Sequence, residues 1–140
     1  MNSGRSVLRL TLSLTAVGAG ACKREAPPPE RAALAVSTIQ LGKQLGTDKN
    51  VVQAITVFGT TDTIYAAVAT TGMAPSATLT ARWTYEDGQL VNESSQAIAP
   101  SGPAVTEFHI AKPSAWPTGK YRVAVTLDGV TVGTKEFEVR

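Results

Sequence analysis

The chain has 140 residues, of which 43% are hydrophobic, so its length suits one domain with enough apolar side chains for a packed core. Two of its 13 basic residues, Arg5 and Arg9, lie near the N-terminus, and the 11 that remain balance the 11 acidic residues. A neutral body argues against electrostatic capture of nucleic acid, which needs a basic face to displace counterions from phosphates.

Residues 1–21 have the parts of a secretory signal peptide. Two arginines supply a short basic region, and residues 10–21 form an apolar stretch that is interrupted only by small side chains. A membrane-spanning helix needs about 20 apolar residues, so this stretch is too short to be one. Gly20 and Ala21 then place small residues directly before Cys22, the single cysteine.

This order of features resembles the signal and lipobox of bacterial lipoproteins. In that family the cysteine thiol is diacylated and the peptide is cut just before it, so the resemblance implies that Cys22 is the lipidation site. Ala19 departs from the usual leucine three residues upstream. The alternative is an ordinary signal peptide cut after Ala21. Lipidation would also remove an unpaired, reactive thiol from a secreted protein that has no second cysteine for a disulfide.

Residues 22–33 are predicted to be the lipidated cysteine and a proline-rich linker. The three consecutive prolines at 27–29 favour an extended polyproline II spacer, which would hold a domain away from a membrane surface. Lys23 follows the cysteine in place of aspartate, which resembles the sorting of lipoproteins to the outer membrane. We therefore expect a lipid-anchored protein of the bacterial cell envelope, placed at the outer membrane.

Residues 34–140 are predicted to form one all-β domain. Apolar and polar residues alternate over 78–85 and again over 120–127, which is typical of strands with one face on a core and one in water. Further strands are predicted at 34–41, 51–58, 62–70, 90–98 and 104–111. Seven or eight short strands in one domain favour an antiparallel β-sandwich, with no disulfide to support it.

Turn residues separate two of the predicted hairpins. Asp87-Gly88 and Asp128-Gly129 each follow an alternating segment, and Asp-Gly supplies the positive φ angles that tight hairpins require. After the second turn the apolar residues change from one parity to the other. An extra residue would produce that change of side-chain phase, so we expect a β-bulge near Gly133.

The run Gly119-Lys-Tyr121 resembles the start of the sixth strand of immunoglobulin-type sandwiches, where a Gly-x-Tyr-x-Cys run forms the tyrosine corner. Trp83 is similar to the core tryptophan of the third strand, and Val68 and Val123 stand where antibody domains have their cysteine pair. The resemblance implies a disulfide-free, fibronectin-like relative with an immunoglobulin-like fold. A fold of this kind does not by itself identify a function.

Few residues favour catalysis or metal binding. His109 is the single histidine, and Glu107 shares its predicted strand face, which we interpret as two solvated polar side chains. A catalytic or metal-binding histidine would need partner carboxylates or further ligands, so a small hydrolase or metal-binding protein is the least favoured alternative. No Gly-x-Ser-x-Gly elbow or phosphate-binding loop occurs in the sequence. We therefore expect that the protein is not an enzyme and that it has neither a cofactor nor a metal site.

Four residues are candidates for binding. Thr80, Arg82 and Arg122 would form a polar, mildly basic outer sheet face that could meet an acidic partner. Trp116 lies in a loop, where an exposed indole could stack on a ligand, although we favour an indole that caps the core. Exposure of Trp116 or Tyr65 would indicate the alternative of a carbohydrate- or peptidoglycan-binding module. The predicted function is a non-catalytic protein-binding or structural module that meets an envelope protein through a sheet face or a strand edge.

Overall fold

A computed structural model describes residues 33–140, which form eight strands in two facing sheets. The strands are β1 (Ala35–Gly42), β2 (Val57–Phe58), β3 (Ile64–Thr71), β4 (Ala77–Tyr85), β5 (Gln89–Ile98), β6 (Ala104–Ile110), β7 (Gly119–Leu127) and β8 (Val130–Val139). The predicted signal peptide, Cys22 and almost all of the predicted linker lie outside the described residues. In the part of the chain that is described, no helix is long and apolar enough to cross a membrane.

The strand order is that of an immunoglobulin-like sandwich. One sheet has three strands in the order β1-β3-β6, and the other has five in the order β2-β8-β7-β4-β5. All strand pairs are antiparallel except β2 and β8, which run parallel. The all-β fold predicted from the alternating segments and the immunoglobulin-like fold implied by the resemblance are therefore confirmed. Each sheet contains strands from both halves of the domain.

The strand predicted at 51–58 is wrong over most of its length, because only Val57–Phe58 pairs with the sheet. The preceding residues form a loop instead, and this loop packs against the end of β1. A Cβ atom added to Gly42 would come within 2.8 Å of the Gln53 carbonyl oxygen, so the close approach of the loop requires a glycine there. Val52 is 66% exposed, so this apolar residue does not belong to the core.

A β-bulge lies beside Gly133, as the change of phase predicts. Gly133 is opposite Val125, whereas Thr131 is already opposite Thr126, so Val132 is the extra residue of β8. The bulge lets apolar side chains on the second half of β8 face the core, while Val132 itself is 40% exposed. The one inserted residue thus explains why the apolar residues of β8 alternate with one phase before the bulge and with the opposite phase after it.

Aromatic rings fill the space between the sheets. The Phe137 ring stacks on Tyr121 at a centroid distance of 5.3 Å and meets the edges of Trp83 at 5.9 Å and Phe58 at 5.5 Å. All four side chains are 4% exposed or less. Contacts of this geometry add to the hydrophobic stabilisation that each ring gains from burial. The four rings come from β2, β4, β7 and β8, so they form one aromatic cluster on the inner face of the five-stranded sheet.

The tyrosine corner expected from the sequence is present. The Tyr121 hydroxyl donates a hydrogen bond of 2.7 Å to the Pro117 carbonyl, four residues earlier. Gly119 lies between them with a φ of 142°, and a Cβ atom added there would collide with the Glu86 carboxylate. Burial raises the pKa of the Tyr121 phenol above its ordinary value of 10.0. This bond ties the start of β7 to the preceding loop.

Removal of the Tyr121 hydroxyl by Tyr121→Phe should lower the free energy of unfolding by about 1 kcal/mol, because a partly buried hydrogen bond to the Pro117 carbonyl is lost. The matched control is Tyr85→Phe, which removes a hydrogen bond of 2.9 Å to Thr118 at an exposed site and should cost less than about 0.5 kcal/mol. Urea unfolding followed by tryptophan fluorescence measures both values. Equal losses in the two variants would show that the corner has no special stabilising role.

Candidate functional site

The outer face of the five-stranded sheet brings together three of the predicted binding residues. Thr80 and Arg82 lie on β4 and Arg122 lies on the adjacent β7, all on the side that faces solvent. The Thr80 hydroxyl is hydrogen-bonded to Ser95 of β5 at 2.7 Å. The sequence therefore predicts correctly that these residues share one face, which we call the outer face.

The outer face is not basic, however. Arg82 pairs with Glu93 of β5 at 3.3 Å, and Arg122 pairs with Glu136 of β8 at 2.7 Å. Each cation of the predicted patch thus has a carboxylate from the neighbouring strand. Exposed pairs of this kind contribute at most about 1 kcal/mol to stability, but they cancel the field that would attract an acidic partner. The sequence could not show this balance, because strand neighbours are set by the sheet order.

Trp116 is buried and is not a surface for ligand stacking. Its side chain is 4% exposed, and its ring packs edge-on against Tyr121 at a centroid distance of 6.3 Å. The indole Nε1 donates to the Asp62 carbonyl at 2.9 Å, and the backbone N–H donates to the Thr60 carbonyl at 2.7 Å. Trp116 therefore caps the core, which is the interpretation favoured from the sequence, and it is not exposed in its loop as the alternative of a ligand-stacking residue would require.

The turn that holds Trp116 is itself fixed by a carboxylate. Asp62 accepts a hydrogen bond of 2.6 Å from the Gly59 backbone N–H and forms an ion pair of 2.8 Å with Lys43. The Lys43 ammonium group is the largest cause of an Asp62 pKa below the ordinary value of 3.8, and the bond from Gly59 acts in the same direction. Asp62 therefore favours the ionised form in the folded chain.

The solvent-facing side of the three-stranded sheet carries His109, Glu107 and Tyr65. His109 is bonded through Nδ1 to the Glu107 carboxylate, and its ring lies 5.4 Å from the half-buried Tyr65 ring. Catalysis or metal binding at this histidine would need at least a second carboxylate. No group of three or more potential metal ligands occurs within residues 33–140. The arrangement offers a polar surface with one histidine–carboxylate pair.

The clearest row of unpaired backbone groups in the described domain lies along the edge strand β5. This strand pairs only with β4, and every residue of its ten except Val91 and Ile98 is exposed. Glu93 is its single charged residue, and it contains neither lysine nor proline. A bulge at Val91 interrupts the register, but 92–98 pairs regularly with β4 and forms an uninterrupted edge of seven residues. We call 92–98 the β5 edge.

The edges at β1 and β8 are better protected than the β5 edge, because a register shift interrupts β1 between Val36 and Thr38, and β8 carries a bulge and Lys135. The β6 edge is also regular over seven residues, but its Glu107 carbonyl already accepts a hydrogen bond from Gln96 of β5. Bulges and lysines are the features by which natural sheets avoid pairing with further strands. The sequence missed this contrast, since edge and interior strands look alike until the sheet order is known.

No family model matches the chain, and no curated protein matches it in sequence. Among solved structures, an immunoglobulin-like protein from Pseudomonas aeruginosa is 17% identical with a TM-score of 0.55, and the match covers 79% of this chain and 99% of that one. A DNA-bound alkylpurine DNA glycosylase from Pseudomonas fluorescens is 15% identical with a TM-score of 0.51, over 76% of this chain. The chain spans only 30% of that glycosylase. These likenesses show an immunoglobulin-like fold.

Replacement of the turn carboxylate by Asp62→Asn should lower the free energy of unfolding at pH 7, because the ion pair with Lys43 is lost. Since the folded pKa of Asp62 lies below 3.8, the wild-type advantage is complete above that pH and disappears as the pH falls through the folded pKa. Urea unfolding at a series of pH values measures the difference. Asp87→Asn, in the exposed β4–β5 turn, is the control. A difference that persists at low pH would contradict a role of the charge.

Proposed function

We propose that this chain is a lipid-anchored protein of the bacterial cell envelope whose immunoglobulin-like domain binds another envelope protein and catalyses no reaction. The observation that carries the proposal is the β5 edge, seven residues of regular strand with one side unpaired in the described domain. A partner strand that adds to this edge would gain main-chain hydrogen bonds, and its side chains would set specificity.

The edge is favoured over the outer face for an electrostatic reason. The Arg82 and Arg122 side chains are already paired with carboxylates, so a partner gains little from them. Backbone groups on the edge bind a strand of almost any sequence, with a net gain of about 1 kcal/mol for each hydrogen bond. Polar side chains cover both faces of β5, so the edge remains compatible with water when no partner is present.

The N-terminal sequence supports the anchoring part of the proposal. Cys22 follows an apolar segment and two small residues, and the proline-rich stretch after it suits a spacer between membrane and domain. Lys23 suits placement at the outer membrane. A tether of this kind keeps the domain close to envelope partners, which raises its effective concentration near them.

A photoreactive residue at Ala97 on the β5 edge should form an adduct with one dominant protein in the native envelope, detected by mass spectrometry. The same probe at Arg122 on the outer face should give a weaker adduct or none. Ser94→Lys places a charge on the inner side of the edge strand and should abolish the Ala97 adduct. The matched control is Thr134→Lys, an exposed position of β8, which should leave the adduct unchanged.

The result that contradicts edge binding is an Ala97 adduct that survives Ser94→Lys, or a dominant adduct from Arg122 alone. Absence of a protein adduct from both positions would favour the alternative of a glycan ligand. In that case the surface to test would be the solvent-facing side of the three-stranded sheet, where Tyr65 lies beside His109.

Lipidation is tested separately by Cys22→Ser in a bacterial host. The wild-type chain should incorporate labelled palmitate and partition into detergent, because the thiol is the only site that a lipoprotein signal would modify. The variant should lose the label and keep its signal peptide, which gives a larger mass. Ser94→Lys is the control and should keep the label. Equal processing of the wild-type and Cys22→Ser chains would indicate an ordinary signal peptide.

A further inference from the structure

A cleft of about 290 Å³ opens at one end of the sandwich, between the start of β5 and the loop from β6 to β7. Its floor and walls are side chains that also belong to the core or pack against it: Tyr85, Val91, Ile110, Trp116 and Tyr121. A volume of this size is at the lower limit for small-molecule sites, which begin at about 300 Å³. It suits one large side chain better than a cofactor.

The rim of the cleft carries one charge. Lys112 is the single charged residue among those that line it, and its Nζ lies 5.6 Å from the centroid of the Trp116 ring. Contact with the ring face holds the ammonium group over the opening. Among residues 33–140, no carboxylate forms an ion pair with Lys112. The cleft therefore combines aromatic and aliphatic side chains with a cation that no carboxylate of the described domain neutralises.

The cleft and the β5 edge are continuous. Gln89, Leu90, Val91 and Asn92 form one wall of the cleft, and Asn92 is also the first residue of the β5 edge. The bulge at Val91 turns this side chain toward the interior, where it packs against the core cluster. A strand that adds to the β5 edge and continues past Asn92 would therefore cross the opening of the cleft.

We propose that the cleft is the specificity pocket of the strand-binding site, and that the partner is an extended acidic segment with a large apolar side chain. This inference rests on the proposed function. The apolar side chain of the partner, aromatic or leucine, enters the cleft beside the exposed Leu90 and Pro117, and a neighbouring carboxylate pairs with Lys112. The β5 edge supplies affinity through backbone bonds, and the cleft selects the sequence.

The test is an NMR titration of the full chain in detergent with three blocked hexapeptides, followed through backbone amide shifts. The parent peptide is acetyl-Thr-Val-Thr-Phe-Glu-Thr-amide, a second carries glutamine in place of glutamate, and a third carries serine in place of phenylalanine. We expect the parent to shift amides along the β5 edge and around the cleft. The glutamine peptide should bind about fivefold more weakly, since an exposed ion pair contributes about 1 kcal/mol. The serine peptide should bind at least as weakly, because it loses the burial of the phenyl ring.

Two variants separate charge from shape. Lys112→Gln should weaken the parent peptide about fivefold and leave the glutamine peptide unchanged. Ala111→Phe fills the cleft from an exposed position of its lining, and it should make the parent bind no better than the serine peptide. Thermal unfolding of each variant at the wild-type temperature shows that the fold is intact.

Each remaining outcome overturns the proposal in a distinguishable way. Equal binding of all three peptides along the β5 edge would leave the proposed function standing and remove the specificity pocket. No shift with any peptide at millimolar concentration would overturn the pocket and also count against edge binding. Shifts of the β5 edge that depend on the concentration of the chain alone would identify a second copy as the occupant.

Discussion

The inner face of the five-stranded sheet depends on the packing of Phe137 among the other aromatic rings of the core. The chain has a single cysteine, so no disulfide within the chain can join its sheets, and the core must hold them together. Rings from β2, β4 and β7 meet at Phe137 of β8, which contacts Phe58, Trp83 and Tyr121. Phe137 reaches this position because the bulge at Val132 changes the phase of β8. One inserted residue therefore determines which side chains of β8 face the core.

The β5 edge is exposed because the two sheets contain unequal numbers of strands. Five strands face three, so the larger sheet extends beyond the smaller one and β5 lies at its margin. The inner face of β5 accordingly carries Asn92, Ser94 and Gln96, opposite the buried residues of β4. Gln96 reaches the Glu107 carbonyl of β6, which joins the two sheets at this margin. The strand is thus firmly placed by β4 but remains available on its other side.

The loop that carries Trp116 connects the core to the proposed specificity pocket. Hydrogen bonds from Trp116 to the turn that Asp62 stabilises hold the indole inward, and the tyrosine corner fixes the start of β7 beside it. The buried face of the ring completes the core, and its remaining contacts support Lys112 at the cleft. Rigid support of this kind is what a selective pocket requires, since a mobile wall would lose affinity on ordering. A fold shared with distant structures does not supply such a pocket, so function must be argued from the site.

Local patterns in the sequence determined which segments become strands, where Asp-Gly turns occur and where the bulge falls, since alternation and turn residues act over a few positions. They also indicated the corner at Tyr121 and an inward-facing Trp116. Pattern failed at 51–58, where apolar residues belong to a loop that packs against Gly42. Only the tertiary structure decided that carboxylates neutralise the outer face, that β5 is an unprotected edge and that Lys112 stands over a cleft. Those features depend on which strands become neighbours, and that choice follows from long-range packing of the sheets rather than from any local run of residues.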